Sequence, residues 1–518
     1  MLHADNRHPG NSAGRLRSAT RYRCQGRPQE IGFEPMKIST ATTADPAATT
    51  ATVAATISVA TDQGAAPVEA SRVALRGDLL DFTGDVPLQS PSDDAIGGAV
   101  RFRPDHWLLM EEGRITGAQA QDPGPGWTRV DHRGHLVMPG FIDTHVHSAQ
   151  IDVIGAWGTQ LLDWLDIHTF PAEQRMADPA HARRISELFV ASLLSRGTTS
   201  ACVFPTVHPV SVDSLFEAAL ARGMRLVAGK VLMDRHAPAA LCDDPADAQM
   251  AARICADQIT RWHGRGRLAY AVTPRFAPTS SPAQLAMAGE LLRSAPGLYM
   301  QTHVAENLDE VRWVRELFPE ARSYLDVYER HGLLTERAVM AHGIWLDGED
   351  RARLAATGGA VAFCPSSNLF LGSGSFDWPA ALASGVGVGL ASDVGGGTSL
   401  DMRRAMLDAY QVQAGAGRRV TAFALLHAAT LGAARALRLS REIGSLEAGA
   451  AADLCVWRWA SSPLARRRQQ AARGLHDRLF AWMTLAGEGD LLETRVAGVV
   501  QDFQDFEHFM PRVTSASG

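Results

Sequence analysis

The segment Leu136–His147, LVMPGFIDTHVH, shows the pattern that organises most of the chain. It is a short apolar run that ends in two histidines one residue apart. Seven further apolar runs follow, separated by stretches with apolar residues at helical spacing. Eight strands that alternate with helices predict an α/β fold, a TIM-like (β/α)8 barrel. The later runs are GTTSACVFPTV from residue 197, RLVAGKVLMD from 225, LAYAVTPRF from 268, LYMQTHVAE from 298, AVMAHGIWL from 338, AVAFCPSSN from 360 and VGVGLASDV from 386.

Short alternating strands flank this region on both sides. On the N-terminal side they include VRFRPDHWLLM and GRITGAQA, within residues 71–136. On the C-terminal side, residues 442–458 and 494–501 are typical of strands. We therefore expect a barrel over 137–440 and a small β-sandwich domain built from 71–136 and 441–510.

The first seventy residues differ in composition from the rest. Residues 1–35 mix Arg, Asn, Gly and His without apolar periodicity, and residues 37–66 are rich in Ala and Thr. Because such a composition buries little apolar surface, residues 1–70 are predicted to form a disordered tail. The sequence leaves two alternatives open. One is that this segment contains a transit peptide, and the other is an extended reading frame in which Met36 is the true start.

Composition excludes several classes of protein. A formal net charge of −6 argues against a protein that coats nucleic acid. The six cysteines are scattered and contain no CxxC pair, which favours a reducing compartment, the cytoplasm. No apolar run reaches the roughly 18 residues needed to cross a membrane, so we expect no membrane partner.

Polar side chains end four of the eight predicted strands. In such a barrel the functional residues lie at the C-terminal ends of the strands. Positions i and i+2 of a strand point to the same side, so a His-x-His pair can face the barrel mouth together. Several side chains therefore converge there: His145 and His147 from the first strand, His303 and Glu306 from the fifth, His342 from the sixth and Asp393 from the eighth.

This set of side chains suits a catalytic metal. Imidazole nitrogens with a carboxylate oxygen favour Zn²⁺ in a site with an open position for water, although Fe²⁺ accepts similar ligands. Asp393 can bind the metal and take a proton from the water, while Glu306 is placed to carry a proton to the substrate. Apolar surroundings are expected to raise the pKa of Glu306. His342 can orient the water or a developing oxyanion.

The motifs resemble those of the amidohydrolase superfamily and, more narrowly, of the guanine deaminase family. The resemblance spans most of residues 71–500 and implies one zinc per subunit, a homodimer, Glu306 as proton shuttle and His342 as catalytic partner. It implies the metal ligands His145, His147, His303 and Asp393. The strings that carry it, besides PGFIDTHVH, are HSAQ, LLDWLDIHTFPAE, GTTSACVFPTVH, GKVLMD, VTPRFAPTSS, QTHVAEN, MAHG, FCPSSNLFLGSG and SDVGGG.

The resemblance also implies a purine pocket. Gln150, Arg275 and Phe276 match positions that hold guanine in that family, beside His303, Glu306 and Asp393. Arg275 offers only donors and so suits the O6 carbonyl of guanine. Gln150 can donate and accept along the purine edge, and Phe276 offers an aromatic surface. The implied reaction of purine catabolism is attack of activated water on C2, protonation of N3 by Glu306, and loss of ammonia to give xanthine.

Other functions stay open at this point. A deaminase of adenosine-like or cytosine-like compounds, or a triazine-type chlorohydrolase, would share the metal ligands and differ in the pocket. A non-enzymatic scaffold on the same barrel is the alternative from another class. Lys230 lies on the third strand rather than the fourth, so we interpret it as structural and the site as mononuclear.

Overall fold

The computed structural model describes residues 72–92, 98–157, 161–244 and 247–502. The tail expected over 1–70, with Met36, lies outside these residues. The described residues begin with four strands, in which β1 pairs antiparallel with β2 and parallel with β4. Their bounds are β1 Val73–Phe82, β2 Val100–Glu111, β3 Arg114–Gln119 and β4 Thr128–Pro139.

The barrel follows directly, and its strands are neighbours in chain order. Main-chain hydrogen bonds close it: His147 N donates to Val394 O at 2.8 Å, and Asp393 N donates to His145 O at 2.9 Å. The predicted TIM-like barrel is confirmed. Its strands are β5 Phe141–His147, β6 Thr198–Phe204, β7 Arg225–Ala228, continued by β8 Val231–Leu232, β9 Leu268–Pro274, β10 Tyr299–Val304, β11 Ala338–His342, β12 Ala360–Phe363 and β13 Gly387–Leu390.

The C-terminal segment returns to the first sheet. Strand β14, Leu454–Arg458, pairs antiparallel with β4, and β15, Leu491–Val496, pairs with β14. The short β16, Val499–Val500, completes a mixed sheet of order β16-β15-β14-β4-β1-β2-β3. The expectation that both ends of the chain build one β-structure beside the barrel is confirmed, whereas the proposed domain boundaries stay a prediction.

One predicted strand is wrong over most of its length. Of residues 442–458, only Leu454–Arg458 is a strand. Gly444 and Gly449 have φ values of +88° and +92°, a left-handed conformation that interrupts an extended ladder. This stretch instead forms turns that lead into β14.

The opening run also divides differently from the sequence pattern. Residues 136–139 end β4 in the mixed sheet, and residues 141–147 form β5 in the barrel. Gly140 lies between the two strands, and a Cβ there would lie 2.2 Å from Oγ1 of Thr199. Only glycine permits the chain to pass so close to β6 where it changes sheets.

Helices connect the barrel strands, and side-chain caps mark where many begin. Asp178 accepts from the main-chain N–H of His181, and Ser281 accepts from that of Gln284. The α-helices are Leu161–Trp164, Phe170–Gln174, Pro179–Leu194, Pro209–Ala221, Ala248–Trp262, Pro282–Arg293, Leu308–Leu317, Tyr324–Arg330, Gly348–Thr357, Pro365–Phe370, Trp378–Ala383, Met402–Gly415, Ala422–Ala428, Leu431–Ala436, Pro463–Gln470 and Leu475–Leu485.

Two further features concern these helices. The periodic stretch 308–332 is two helices rather than one, because Pro319 follows the first and cannot continue it.

Within the described ranges, no helix combines the length and the apolar character needed to cross a bilayer.

The third barrel strand is interrupted between β7 and β8. A Cβ at Gly229 would lie 1.9 Å from the carbonyl oxygen of Ala271 in β9, so the two strands approach each other too closely for any side chain. The next residue, Lys230, is buried, and its Nζ lies 2.5 Å from Oδ1 of Asp243. This ion pair supports the interpretation of Lys230 as structural.

Gly229→Ala should destabilise the barrel. The added methyl group collides with the main chain of β9, which cannot rotate away, so we expect a loss of about 1–3 kcal/mol or more in the free energy of unfolding. Denaturant titration measures it. Gly415→Ala, at the end of a helix, is the matched control, since a Cβ added there meets no described atom within 4 Å. Equal stabilities of the two variants would contradict the close approach.

Candidate metal centre and substrate pocket

Four predicted ligand side chains meet at the C-terminal mouth of the barrel. His145 and His147 end β5, His303 lies near the end of β10, and Asp393 follows β13. One ligand atom from each lies within 4.8 Å of all the others. The site is shielded from solvent, since His145 is 1% exposed and Asp393 is 5% exposed. Strands that are far apart in sequence thus bring these groups together.

The spacing of the ligand atoms fits a single cation. Asp393 Oδ1 lies 3.1 Å from Nε2 of His145 and 3.3 Å from Nε2 of His147. The Nε2 atoms of His147 and His303 are 3.2 Å apart. A tetrahedron with metal–ligand bonds of about 2.0–2.1 Å has edges of about 3.3 Å, close to all three distances. Nε2 of His145 is buried, and its 3.1 Å approach to Asp393 Oδ1 does not have the geometry of a hydrogen bond, as expected of two atoms that bind the same cation.

Hydrogen bonding prepares His303 to bind a metal. Its Nδ1 lies 2.7 Å from the carbonyl oxygen of Arg275, to which it donates, so the lone pair is on Nε2. Burial, followed by the neighbouring His145, holds the pKa of His303 well below its usual value. Burial likewise lowers the pKa of His147 to about 4. Both rings are therefore neutral at pH 7, which is the form that binds metals.

Asp143 is a buried residue that the sequence analysis did not include in the site. Its Oδ1 accepts from the main-chain N–H of Ser392 at 3.0 Å and from that of His145 at 3.2 Å, and its Oδ2 accepts from the Ser392 hydroxyl. It therefore joins the residue before Asp393 to a ligand of the first strand. The sequence signal was present, because an aspartate within an apolar strand needs buried partners.

A second group of side chains overlaps the first. Ligand atoms of His342 and Cys364 also lie within 4.8 Å of those of His145 and Asp393. Burial, with Asp393 nearby, raises the pKa of the Cys364 thiol far above its usual value, and the thiol donates to the carbonyl oxygen of Ala362 at 3.3 Å. Since a protonated thiol is a poor ligand, the group that contains His147 and His303 is the better metal site.

Glu306 lies beside the ligand cluster, the group formed by His145, His147, His303 and Asp393. Its carboxyl group is buried. Ser373 Oγ donates to its Oε1 at 2.8 Å, which leaves Oε2 on the side of His342 Nε2, 3.4 Å away. Burial, reinforced by the charge of Asp393, raises the pKa of Glu306 to about 8. The carboxyl group is therefore protonated at neutral pH and can donate a proton.

His342 completes the group around the cluster. Its Nδ1 lies 2.9 Å from Oδ1 of Asn368, an acceptor, so Nδ1 donates to the amide and Nε2 faces the ligand cluster. That Nε2 lies 3.6 Å from Oδ2 of Asp393. Both residues have left-handed backbones, with φ of +67° at His342 and +49° at Asp393. Such conformations are costly for residues other than glycine, and the residues that adopt them cluster at functional sites.

A pocket opens above the ligand cluster at the mouth of the barrel. The predicted pocket residues Gln150, Arg275 and Phe276 all line it. Its walls also include the ligand residues His147, His303 and Asp393, the acids Glu306 and Glu310, His342 and Gly396, and the apolar side chains Leu161, Trp164, Leu165 and Leu371.

Glu173 binds two residues of the pocket wall, and the sequence analysis did not identify it. Its carboxylate accepts two hydrogen bonds from Arg275 Nη1, at 2.8 and 2.9 Å, and one from Gln150 Nε2 at 2.9 Å. The residue belongs to the motif HTFPAE, but the motif alone does not show that its last residue turns inward. Both polar residues of the predicted purine site are thus bound to one buried acid.

Comparison with known proteins gives consistent results. Residues 136–500 match the model of the Amidohydrolase family. Guanine deaminase of Escherichia coli K12 is 43% identical over 430 residues, which cover 82% of this chain and 96% of that protein. A probable guanine deaminase of Deinococcus radiodurans is 44% identical over 330 residues, which cover 63% and 74%. The solved structure of the E. coli enzyme has a TM-score of 0.79 at 42% identity and covers 83% of this chain and 99% of its own.

The ligand cluster predicts how much metal the chain holds. We expect about one divalent cation per chain by elemental analysis, and His303→Ala should weaken metal affinity by at least about 10–100-fold, the usual effect of losing even an outer partner of a ligand. Chelator competition measures the change. His331→Gln is the control, because His331 caps its own helix through the carbonyl oxygen of Val327. Unchanged affinity in His303→Ala would remove this residue from the ligand set.

Proposed function

The chain belongs to the amidohydrolase family and, within it, to the guanine deaminases, and we propose that it hydrolyses guanine to xanthine and ammonia. The observation that carries this proposal is the position of the Arg275–Gln150 pair in the same pocket as the ligand cluster and Glu306. A purine held by that pair lies within reach of the acid and the metal site. The barrel thus joins recognition of the substrate to its hydrolysis.

We propose that His145, His147, His303 and Asp393 hold one catalytic zinc ion. The three nitrogens and one oxygen match the donor types that zinc prefers, although the same donors also accept Fe²⁺. When bound, the ion lowers the pKa of water from 15.7 to about 7 and supplies a nucleophile at neutral pH. The neutral state of His147 and His303 supports this assignment, because no proton has to leave either ring first.

Glu306 acts as the proton donor in this proposal. Its protonated carboxyl group delivers a proton to N3 of guanine as the C2–O bond forms, which prevents a full negative charge on the purine ring. The hydroxyl of Ser373, bound to Oε1, leaves Oε2 as the oxygen that carries the proton. When the C2–N bond breaks, the amino group takes up the water-derived proton that Asp393 holds and leaves as ammonia, while the C2 hydroxyl returns a proton to Glu306.

His342 and Asp393 handle the proton of the attacking water. The lone pair on Nε2 of His342 accepts a hydrogen bond from the water and orients it toward C2. Asp393 Oδ2, 3.6 Å from that nitrogen, takes the proton. Asn368 keeps the imidazole in the required tautomer, because its Oδ1 accepts from Nδ1.

The pocket residues orient guanine for attack at C2. Arg275 donates to the O6 carbonyl, Gln150 binds along the purine edge, and Phe276 contacts the ring. Phe276 is itself supported by Trp313 in an edge-on contact, with ring centroids 6.3 Å apart. A homodimer and a cytoplasmic location stay predictions from the sequence.

The proposed function predicts a clear order of substrates. Guanine should release ammonia with a kcat/KM at least about 100-fold above that of adenine or cytosine, because a polar pocket strongly rejects analogues that leave its donors unpaired. Ammonia release from guanine, adenine, cytosine, 8-oxoguanine and ammeline measures this. Turnover of another member of this panel, with none of guanine, would contradict the assignment.

Glu306→Gln should lose most of the activity and keep its metal. The amide cannot deliver the proton to N3, so kcat for guanine is expected to fall by about 10²–10⁴-fold. Glu316→Gln, on the exposed side of the helix Leu308–Leu317, is the matched control and should have wild-type kcat. Retained activity in Glu306→Gln, with equal metal content, would show that Glu306 is not the proton donor.

A further inference from the structure

Glu173 is a buried acid that takes no part in the proposed chemistry. It lies in the short helix Phe170–Gln174, between β5 and β6, and its exposure is 0%. The segment around it is anchored at the mouth of the barrel, because Phe170 and Met176 are buried and Arg175 pairs with Asp152 at 2.8 Å. A fully buried carboxylate is costly unless strong partners compensate for its lost hydration.

The partners of Glu173 are the two polar residues of the purine pocket. It forms a buried ion pair with Arg275, whose own exposure is 3%, and both carboxylate oxygens accept from the same nitrogen, Nη1. Among the described residues, no acceptor is bound to Nε or Nη2 of Arg275. The carboxylate therefore anchors one nitrogen of the guanidinium group, whose central carbon also lies 5.5 Å from the centroid of the Phe170 ring, and it leaves Nε and Nη2 for a ligand.

Glu173 also determines how the amide of Gln150 is turned. An ionised carboxylate only accepts hydrogen bonds, so the group that faces it at 2.9 Å must be the amide nitrogen. The amide oxygen then accepts from the main-chain N–H of Gly395 at 3.1 Å, two residues beyond Asp393. Glu173 thus joins the pocket wall to the loop that carries a metal ligand.

We propose that Glu173 is a positioning residue that makes this wall of the pocket a donor surface and so selects purines with a carbonyl at C6. With Nη1 and one N–H of Gln150 occupied, the wall offers Nε and Nη2 of Arg275 and the second N–H of Gln150. These three donor nitrogens match the acceptors of a 6-oxopurine edge and oppose an amino group at C6. This inference rests on the proposed function for the reaction at C2, but its claim concerns binding.

Glu173→Gln tests the proposal, with 2-aminopurine as the comparison ligand. This fluorescent purine keeps the C2 amino group and lacks the C6 carbonyl, so its binding is measured by titration whether or not it reacts. In a Glu306→Gln background, which is expected to bind guanine with little turnover, we expect Glu173→Gln to lower the affinity for guanine, measured by displacement of 2-aminopurine, by about 10–100-fold, the range for a hydrogen bond to a charged group. The affinity for 2-aminopurine should change by less than about threefold.

Two further variants separate positioning from general damage. Glu173→Asp keeps the charge at shorter reach and should have intermediate guanine affinity, and it also serves if Glu173→Gln does not fold. In turnover of guanine by Glu173→Asp, KM should rise more than kcat falls. Glu187→Gln, an exposed position on the helix Pro179–Leu194, controls for loss of a negative charge and should match the wild type.

The outcomes distinguish the inference from the proposed function. Equal losses of affinity for both purines, or no loss for guanine, would overturn the role of Glu173. Failure of the wild-type chain to release ammonia from guanine would overturn the proposed reaction alone, since the displacement experiment does not depend on turnover. Loss confined to guanine supports the role assigned to Glu173.

Discussion

The site depends on the hydrogen bonds that join the first and last barrel strands. Asp143 accepts from the main chain of both His145 and Ser392, and Asp393 N donates to His145 O. These bonds hold β5 against the segment after β13, although about 250 residues separate them in the sequence. Because His145 and His147 belong to one side of this junction and Asp393 to the other, closing the barrel is the same event as assembling the ligand cluster.

Two buried acids at the C-terminal mouth of the barrel differ in their electrostatic surroundings. Glu173 is paired with Arg275 and therefore bears its charge in the interior, where an unpaired charge would be strongly destabilising. Among the described residues no arginine or lysine forms an ion pair with Glu306, and burial, reinforced by the charge of Asp393, raises its pKa to about 8. One carboxylate is thus fixed as an acceptor that shapes the pocket, and another is kept protonated as a donor. Environment rather than residue type separates the two roles.

Arg275 connects the candidate substrate pocket with the candidate metal centre. Its side chain lines the pocket, while its carbonyl oxygen accepts from Nδ1 of His303. A shift of the main chain at this residue would move the pocket wall and turn a ligand ring together. Gln150 makes a similar connection, since its amide oxygen binds the main chain at Gly395, beside the Asp393 loop. The shape of the pocket and the arrangement of the predicted metal ligands are therefore coupled through two short contacts.

The amino-acid sequence by itself determined the fold class of this protein and which side chains meet at the mouth of the barrel. Apolar runs that end in His145, His147, His303 and Asp393 are local patterns, and in a parallel barrel all strand ends of one kind lie at the same mouth, so their meeting follows from periodicity alone. The division of residues 136–147 between two sheets was not predictable in this way, because it depends on the approach of Thr199 to Gly140. The hydrogen-bond partners of Glu173, Asp143 and Asn368 were not predictable either, because these bonds join different segments of the chain. Periodicity reports which face of an element a residue occupies, whereas a hydrogen bond needs the distance and direction between two atoms, and only the folded chain supplies those.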